Sequence, residues 1–510
     1  MRIASRFALI FAWLAGSLVA AASADEWPLY AGDAAHTGVA PRAARDLNHL
    51  RWIVPPAPDE QFVWHSSPVV FGGRVFVRGR VVAAECQPAA SVSAIAVEDG
   101  QRLWTALVDG DEYDSWASLA VDVRNETVVA ASGDQVFALA VGDGRILWQT
   151  ELDRAAVNAS PIVTADLEID HTPANRVFIT DYTGFETEAT LYAINVDPFA
   201  PANPYQPGQV VWTHTLSGGS GNTPAYVGGV VYVASVGGEV EALDARDGSV
   251  IWSTDVDLAG YPQYSGFYGG IAVRDGYAYA ASYVFYGSGD NSALFKFDIT
   301  DGAIVWVVPS ERTDAMPVVV GDGRIYLAAG LDGYGSAVKV QAFEDHGTWA
   351  EKVWETQTWT RCGAAVGGWT LQPVWSRGYL YVGTPPPGTD PSQPYTELCI
   401  LNTQRQPDDP GFVVSVHAGA GASPAVADGT VYSLGTAGLL AFDPSFECLA
   451  DLDGDGVVGI ADLVMLLSAY GGQRTTGDGV YDSDADLNRD GVVDLGDLAL
   501  MTGVYGAACP

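Results

Sequence analysis

One short pattern returns along most of this chain and limits what it can fold into. An apolar alternating strand runs into Asp-Gly, and a tryptophan stands five residues after the aspartate. The copies are Asp99-Gly100 to Trp104, Asp143-Gly144 to Trp148, Asp247-Gly248 to Trp252, and Asp301-Gly302 to Trp306. Degenerate copies end at Trp212 and Trp354. Before each Asp-Gly sits a strand, such as Val240–Asp244 or Leu294–Asp298, and before that strand a second one, for example Gly229–Val233 or, in another unit, Gly323–Leu327. Earlier still in each unit comes a small, polar or methionine residue before proline: Ser67-Pro68, Ser160-Pro161, Thr223-Pro224, Met316-Pro317 and Ser423-Pro424.

Alternation with period two marks strands with two unlike faces. Asp-Gly between strands marks a hairpin, because glycine tolerates the positive φ that the turn needs. Four short strands per unit, at a period of roughly 40–50 residues, predict propeller blades. The tryptophan opens the outermost strand and is expected to bury its ring between neighbouring blades. Seven full units run from about Ser66 to about Ala420, and an eighth starts at Ser423-Pro424. That eighth unit has Thr430–Leu434 and Leu439–Asp443 but no outer tryptophan strand. Leu50-Arg51-Trp52-Ile53-Val54 has the missing pattern, so it is expected to close the ring by joining the last blade. The seventh unit carries Val413-Val414 where a tryptophan would stand, and a Pro-rich insertion around Pro385–Pro394 reads as a surface loop.

The repeat, with Trp27-Pro28-Leu29-Tyr30-Ala31-Gly32-Asp33 and Thr37-Gly38 ahead of it, resembles the pyrroloquinoline-quinone-like (PQQ-like) propeller repeat over roughly Trp27 to Asp443. That resemblance implies an eight-bladed all-β propeller with four-stranded antiparallel blades. It includes quinoprotein alcohol dehydrogenases and an outer-membrane assembly lipoprotein, so it speaks to fold more than to function. The dehydrogenases carry adjacent cysteines beside the quinone, and many relatives carry a haem-attachment motif. Neither occurs here, so no catalytic residue and no bound PQQ are expected. The histidines His36, His49, His65, His171, His214, His346 and His417 are scattered, with no pair at metal-ligand spacing.

The chain has 62 acidic against 25 basic residues, a formal charge of -37. Such a surface repels nucleic acid and anionic lipid and suits divalent cations. Arg2 and Arg6, the apolar run Phe7–Ala20 and Ala22-Ser23-Ala24 read as an export signal, residues 1–24, with the mature chain starting at Asp25. No cysteine follows that run, so no lipid anchor is expected, and no other stretch has the apolar length of a membrane span. The expected product is secreted, extracellular or periplasmic, or held at the cell surface, with a propeller over residues 25–445.

From Cys448 the composition changes. Asp451-Leu452-Asp453-Gly454-Asp455-Gly456-Val457-Val458-Gly459-Ile460-Ala461-Asp462 is a twelve-residue calcium loop. Asp451, Asp453, Asp455 and Asp462 stand at positions 1, 3, 5 and 12, Gly456 makes the sharp turn, and Val457 offers its carbonyl. A second loop begins 35 residues later, with Asp486, Asn488, Asp490, Val492 and Asp497 in the same roles. Amphipathic helices are predicted over Leu463–Tyr470 and Leu498–Tyr505, with Val458 and Val493 pointing inward. The final ligand is aspartate, and no helix precedes either loop. These features resemble the type I dockerin, a small α-helical module with two loop–helix repeats, here residues 448–510.

The resemblance implies two calcium ions and a cohesin-like or other surface partner read at positions 10 and 11. Those positions are Ile460-Ala461 and Leu495-Gly496, not the hydroxyl pairs of many dockerins. Crowded carboxylates repel, so calcium binding should become folding free energy. Among the five cysteines, Cys448 with Cys509 is the first candidate pair and Cys362 with Cys399 the second, leaving Cys86 over; spacing leaves the connectivity open. The expected function is a non-catalytic binding or scaffold protein whose propeller takes a protein or glycan. The alternative is an enzyme, a quinone-dependent dehydrogenase or carbohydrate-active propeller, delivered by the module.

Overall fold

The tryptophan of each repeat organises the architecture. The computed structural model describes residues 26–81, 89–109, 116–182, 188–264, 266–284, 291–331, 337–356, 365–386, 393–445, 449–473, 482, 484–488 and 491–509. Cys86, Cys362, Cys448, Asp490, the export signal and most of the Pro-rich insertion lie outside them.

Eight antiparallel sheets form the blades of a propeller. From inner to outer strand, blade 1 runs from Val69–Phe71 to Arg102–Asp109 and blade 2 from Ala120–Asp122 to Ile146–Glu151. Blade 3 runs from Ile162–Val163 to Val210–Leu216 and blade 4 from Ala225–Val227 to Val250–Asp255. Blades 5, 6 and 7 start at Ile271–Arg274, Val318–Val319 and Val374–Ser376, and end at Ile304–Ser310, Ala350–Glu355 and Val413–Ala418. Blade 8 contains Ala425–Ala427, Thr430–Gly435 and Gly438–Phe442, and its fourth strand is Leu50–Val54. The pairs Trp52↔Ala441 and Ile53↔Leu440 close the ring between the two ends of the propeller, as the pattern at Trp52 predicts.

Trp52, Trp104, Trp212 and Trp252 each lie over the Asp-Gly turn of the next blade, and Trp148 lies over Gly208 of a looser turn. A Cβ on Gly144 would lie 2.5 Å from the Trp104 ring, and one on Gly302 2.5 Å from the Trp252 ring. Both glycines have positive φ, 72° and 74°, so the turn and the stack both require a missing side chain. The indole nitrogens donate to the same neighbour: Trp52 to the Val97 carbonyl (2.9 Å), Trp104 to Val141 (3.0 Å) and Trp252 to Ile299 (2.8 Å). The opposite side of each ring meets an aromatic of its own blade, Phe76 for Trp104 and Tyr232 for Trp252. A bulge lies beside the tryptophan in each of these strands and turns the ring toward the next blade. Burying one such indole contributes about 3 kcal/mol. Blade 7 departs from the repeat as the sequence does: Phe412 meets Trp354 edge-on at 5.5 Å.

The C-terminal region holds two helices, α1 (Ile460–Ala469) and α2 (Leu495–Gly503). Both start three residues before the predicted boundary. Asp462 and Asp497 lie at the third helical position and accept the backbone N–H of Gly459 (2.6 Å) and Asp494 (2.8 Å). The helix therefore begins inside each loop. Val458 and Val493 are fully buried in a small core with Leu466, Met501 and Cys509. Among the described residues no helix is long and apolar enough to cross a membrane.

Candidate functional site

The residue before each blade's proline, or its equivalent, ties the axis together. The backbone N–H of Ser67 donates to Ser118 Oγ (2.8 Å), Ser118 to Ser160 Oγ (2.9 Å) and Ser160 to Thr223 Oγ1 (3.0 Å). On the other side Met316 N–H donates to Gln372 Oε1 (2.9 Å), and Gln372 N–H to Ser423 Oγ (2.9 Å). Small hydroxyl residues recur there because each satisfies a neighbour's buried N–H.

Two residues before each ring member lies a second layer: His65, Trp116, Asn158, Gly221, Tyr268, Asp314, Thr370 and Gly421. Here the side chains converge. Trp116 meets Trp369 edge-on at 5.2 Å, Trp369 meets Tyr283 at 5.7 Å, and Tyr283 meets Tyr268 at 5.0 Å. His65 lies 6.3 Å from Trp116 and 5.1 Å from Tyr395, and its Nδ1 is 2.6 Å from Thr370 Oγ1. Trp116 Nε1–H donates to Asp314 Oδ2 (3.1 Å). Burial pushes the Asp314 carboxyl well above the usual carboxylate range, against the lowering effect of that indole hydrogen bond. Tyr182 is also raised, by burial first and then by the Asp314 charge. Trp116, Trp369, Tyr182, Tyr268 and Asp314 are half-buried, so this aromatic layer keeps contact with solvent.

The opposite mouth is lined by the segment ahead of the closing strand. Trp27 pairs with Val70 of blade 1, and the carbonyls of Pro28, Ala34, Ala35 and Gly38 accept from Val121, Tyr226, Val273 and Trp375. Ala44 N–H then donates to Gly429 of blade 8 (2.8 Å). His36 is fully buried there, its Nδ1 2.9 Å from the Ile271 carbonyl, and burial lowers its pKa.

In the C-terminal region Asp451, Asp453 and Asp462 each bring one carboxylate oxygen within 4.8 Å of the others. Asp451, Asp462 and Asp497 are fully buried and Asp486 nearly so. Buried carboxylates need a compensating cation or dense hydrogen bonding, and an all-oxygen set suits calcium. The loops are partly held by their own amides: Asp451 Oδ1 accepts from Gly454 (3.0 Å), Asp451 Oδ2 from Gly456 (3.1 Å), Asp486 Oδ2 from Gly491 (2.8 Å) and Asp497 Oδ1 from Asn488 (3.0 Å). Asp455 and Asn488 lie at the exposed rim, with Val457 exposed and Val492 half-buried. At positions 10 and 11, Ile460 and Leu495 are 66% and 69% exposed, equivalent in the two halves, with Ala461 exposed and Gly496 half-buried.

Sequence reading names the loop residues and does not name the aromatic layer. Its signal was positional: two residues before each ring member, side chains from distant repeats meet on the axis. Of the histidines, His36 and His65 are core residues, while His214 and His346 approach Glu241 and Glu351.

A family model described as outer membrane protein assembly factor BamB matches residues 50–198. The assembly factor of Salmonella typhimurium is 26% identical over 209 residues, covering 32% of this chain and 52% of that protein. That of Yersinia pestis is 26% identical over 245 residues, covering 45% and 56%. The chain thus spans about half the length of the curated relatives it matches. A europium-containing methanol dehydrogenase superposes with a TM-score of 0.55 at 11% identity, covering 80% of this chain and 89% of that one. The quinohemoprotein alcohol dehydrogenase from Comamonas testosteroni gives 0.54 at 12% identity, covering 83% and 81%. At such identities the likeness to the dehydrogenases shows the fold alone. What the chain carries is an eight-bladed PQQ-like propeller, similar in its repeats to the outer membrane assembly factors.

Proposed function

We propose that this is an exported interaction protein without chemistry of its own, whose propeller is the binding or scaffold body. Residues 448–510 act as a dockerin-like calcium module that attaches it to a cohesin-like or other surface protein. The observation that carries this reading is the duplicated loop: buried acceptors close on a helix start twice, and equivalent apolar residues, Ile460 and Leu495, stand exposed beside each. Asp451, Asp453, Asp455, Asp462 and the Val457 carbonyl would hold one ion, and Asp486, Asn488, Asp490, Asp497 and the Val492 carbonyl the other. Ile460-Ala461 and Leu495-Gly496 form the apolar contact for the partner. Likeness to proteins named assembly factors supports the scaffold role of the propeller.

Calorimetric titration of the full mature chain with calcium chloride, over a magnesium background, should give two equivalents. Asp462→Asn and Asp497→Asn should each remove one. Uptake of no calcium by the wild-type chain would end the attachment reading.

A second reading, an enzyme carried by the module, is favoured by the half-buried indoles around Asp314. Among the described residues the eight positions of that layer include a single carboxylate, Asp314, whereas a glycosidase needs two. Stacked rings beside one carboxyl suit binding a glycan or a protein side chain without cleaving it. Turnover of alcohols with added quinone, or of polysaccharide, would replace the non-catalytic reading.

A further inference from the structure

Basic residues are scarce in this chain, 25 against 62 acidic, yet three arginines of the propeller meet on the C-terminal loops. Arg42 and Arg45 come from the segment lining the propeller mouth, which is held by Ala44 N–H to Gly429 O (2.8 Å) and Tyr381 O–H to Ala44 O (2.8 Å). Arg377 occupies the two-residue turn between the first two strands of blade 7. Its φ is +45°, and Gly378 follows at +88°. Blades 5 and 8 place Asp275-Gly276 and Asp428-Gly429 in the same turn, residues that tolerate this conformation better. An arginine there projects a long cation out of the hairpin.

The targets are specific. Arg45 Nη1 pairs with Asp451 Oδ2 at 2.5 Å, and its guanidinium lies 5.9 Å from the Tyr379 ring centroid. Arg377 donates through Nη1 to the Asp451 carbonyl (3.0 Å), through Nη2 to Asp484 Oδ2 (2.9 Å) and through Nε to Pro41 O (2.8 Å). Arg42 Nε lies 3.4 Å from Asp484 Oδ1. Asp451 is position 1 of the first loop, and Asp484 stands two residues before the second. Gly454 is seated beside Arg45 and Arg377: a Cβ there would touch both, at 3.5 and 3.7 Å. The seam is narrow, leaving a cleft of about 20 Å³.

Counting lone pairs shows that arginine and ion can occupy Asp451 together. A carboxylate offers about four acceptor positions. Asp451 Oδ2 uses two, for Gly456 N–H and Arg45, and Oδ1 uses one, for Gly454 N–H. One position on Oδ1 stays open to an ion, so arginine and ion can share the residue. Charge agrees. The first loop carries four carboxylates, Asp451, Asp453, Asp455 and Asp462. A divalent ion cancels half of that, and the arginines still face an acidic loop. What they grip is the Asp451 side chain together with its carbonyl, and the closed loop presents the two side by side.

Building on the calcium reading above, we propose that Arg42, Arg45 and Arg377 form a latch that grips the ion-closed first loop. Calcium fixes the module on the propeller rim, and by linkage the latch tightens calcium binding. The latched module still presents Ile460, Val464, Leu467 and Leu495, all exposed, on its outer helices.

The test uses the full mature chain, small-angle X-ray scattering and calcium titration. The wild type should be compact in calcium chloride and expand on chelation. Arg45→Glu with Arg377→Glu should stay expanded in calcium, with at least fivefold weaker affinity at the first loop and unchanged affinity at the second. Arg45→Gln should fall between, and an unchanged propeller melting transition excludes misfolding. A charge-reversed chain as compact as wild type, or one binding calcium as tightly or more tightly, overturns the latch while leaving the calcium reading intact. No calcium uptake by the wild type sinks both.

Discussion

Two glycines with nearly the same backbone separate packing from conformation. Gly144 and Gly73 both have φ +72°, but a Cβ meets the Trp104 ring at Gly144 and nothing within 4 Å at Gly73. Gly73→Ala should cost about 1 kcal/mol and Gly144→Ala about 3 kcal/mol in denaturant unfolding, the difference being the lost stack. Equal costs would mean that the tryptophan gives way. Asp314 supplies a pH-dependent counterpart. Its folded pKa is raised by burial, so the unfolded chain ionises first as pH rises, and the folded state loses stability until it ionises too. Asp314→Asn should therefore raise the melting temperature by about 2 °C at pH 7 and by nothing near pH 3.5. A gain that does not vary with pH would place the effect elsewhere.

At the scale of elements, the closing strand carries the clearest liability. Trp52 is 8% exposed, bonds Val97 and lies over Gly100, so Trp52→Ala removes a junction between blade 8 and blade 1. We expect a loss of about 3–5 kcal/mol and a broadened calorimetric transition. This strand was legible in the sequence because a tryptophan pattern stood without a blade at one end and a blade without its tryptophan stood at the other. Blade count and hairpin turns were legible for the same reason: each is local and repeated. Helix starts were misplaced by three residues because Asp462 and Asp497 look like loop ligands and also act as caps. The aromatic layer and the arginine latch were hidden, since each joins residues hundreds of positions apart, such as Trp116 with Asp314 and Arg45 with Asp451.

For the molecule as a whole, two kinds of stability sit side by side. The propeller rests on apolar blade contacts and should ignore chelators. The C-terminal region rests on a small core and crowded carboxylates. Limited proteolysis in chelator should trim residues 448–510 first and leave the propeller intact, while calcium should protect both. Simultaneous digestion of the two would show that they unfold as one unit.

The segment from Trp27 to Val54 comes before the innermost strand of every blade, yet it bonds blades 1, 2, 4, 5, 7 and 8. Synthesis delivers it first, and its last partners, Gly429 and Gly438–Phe442, arrive some 400 residues later. A nascent or truncated polypeptide can thus build individual blades but cannot seal the circle. Commitment to the native state waits until blade 8 has been made, so the earlier blades must persist as an open, unsealed arc.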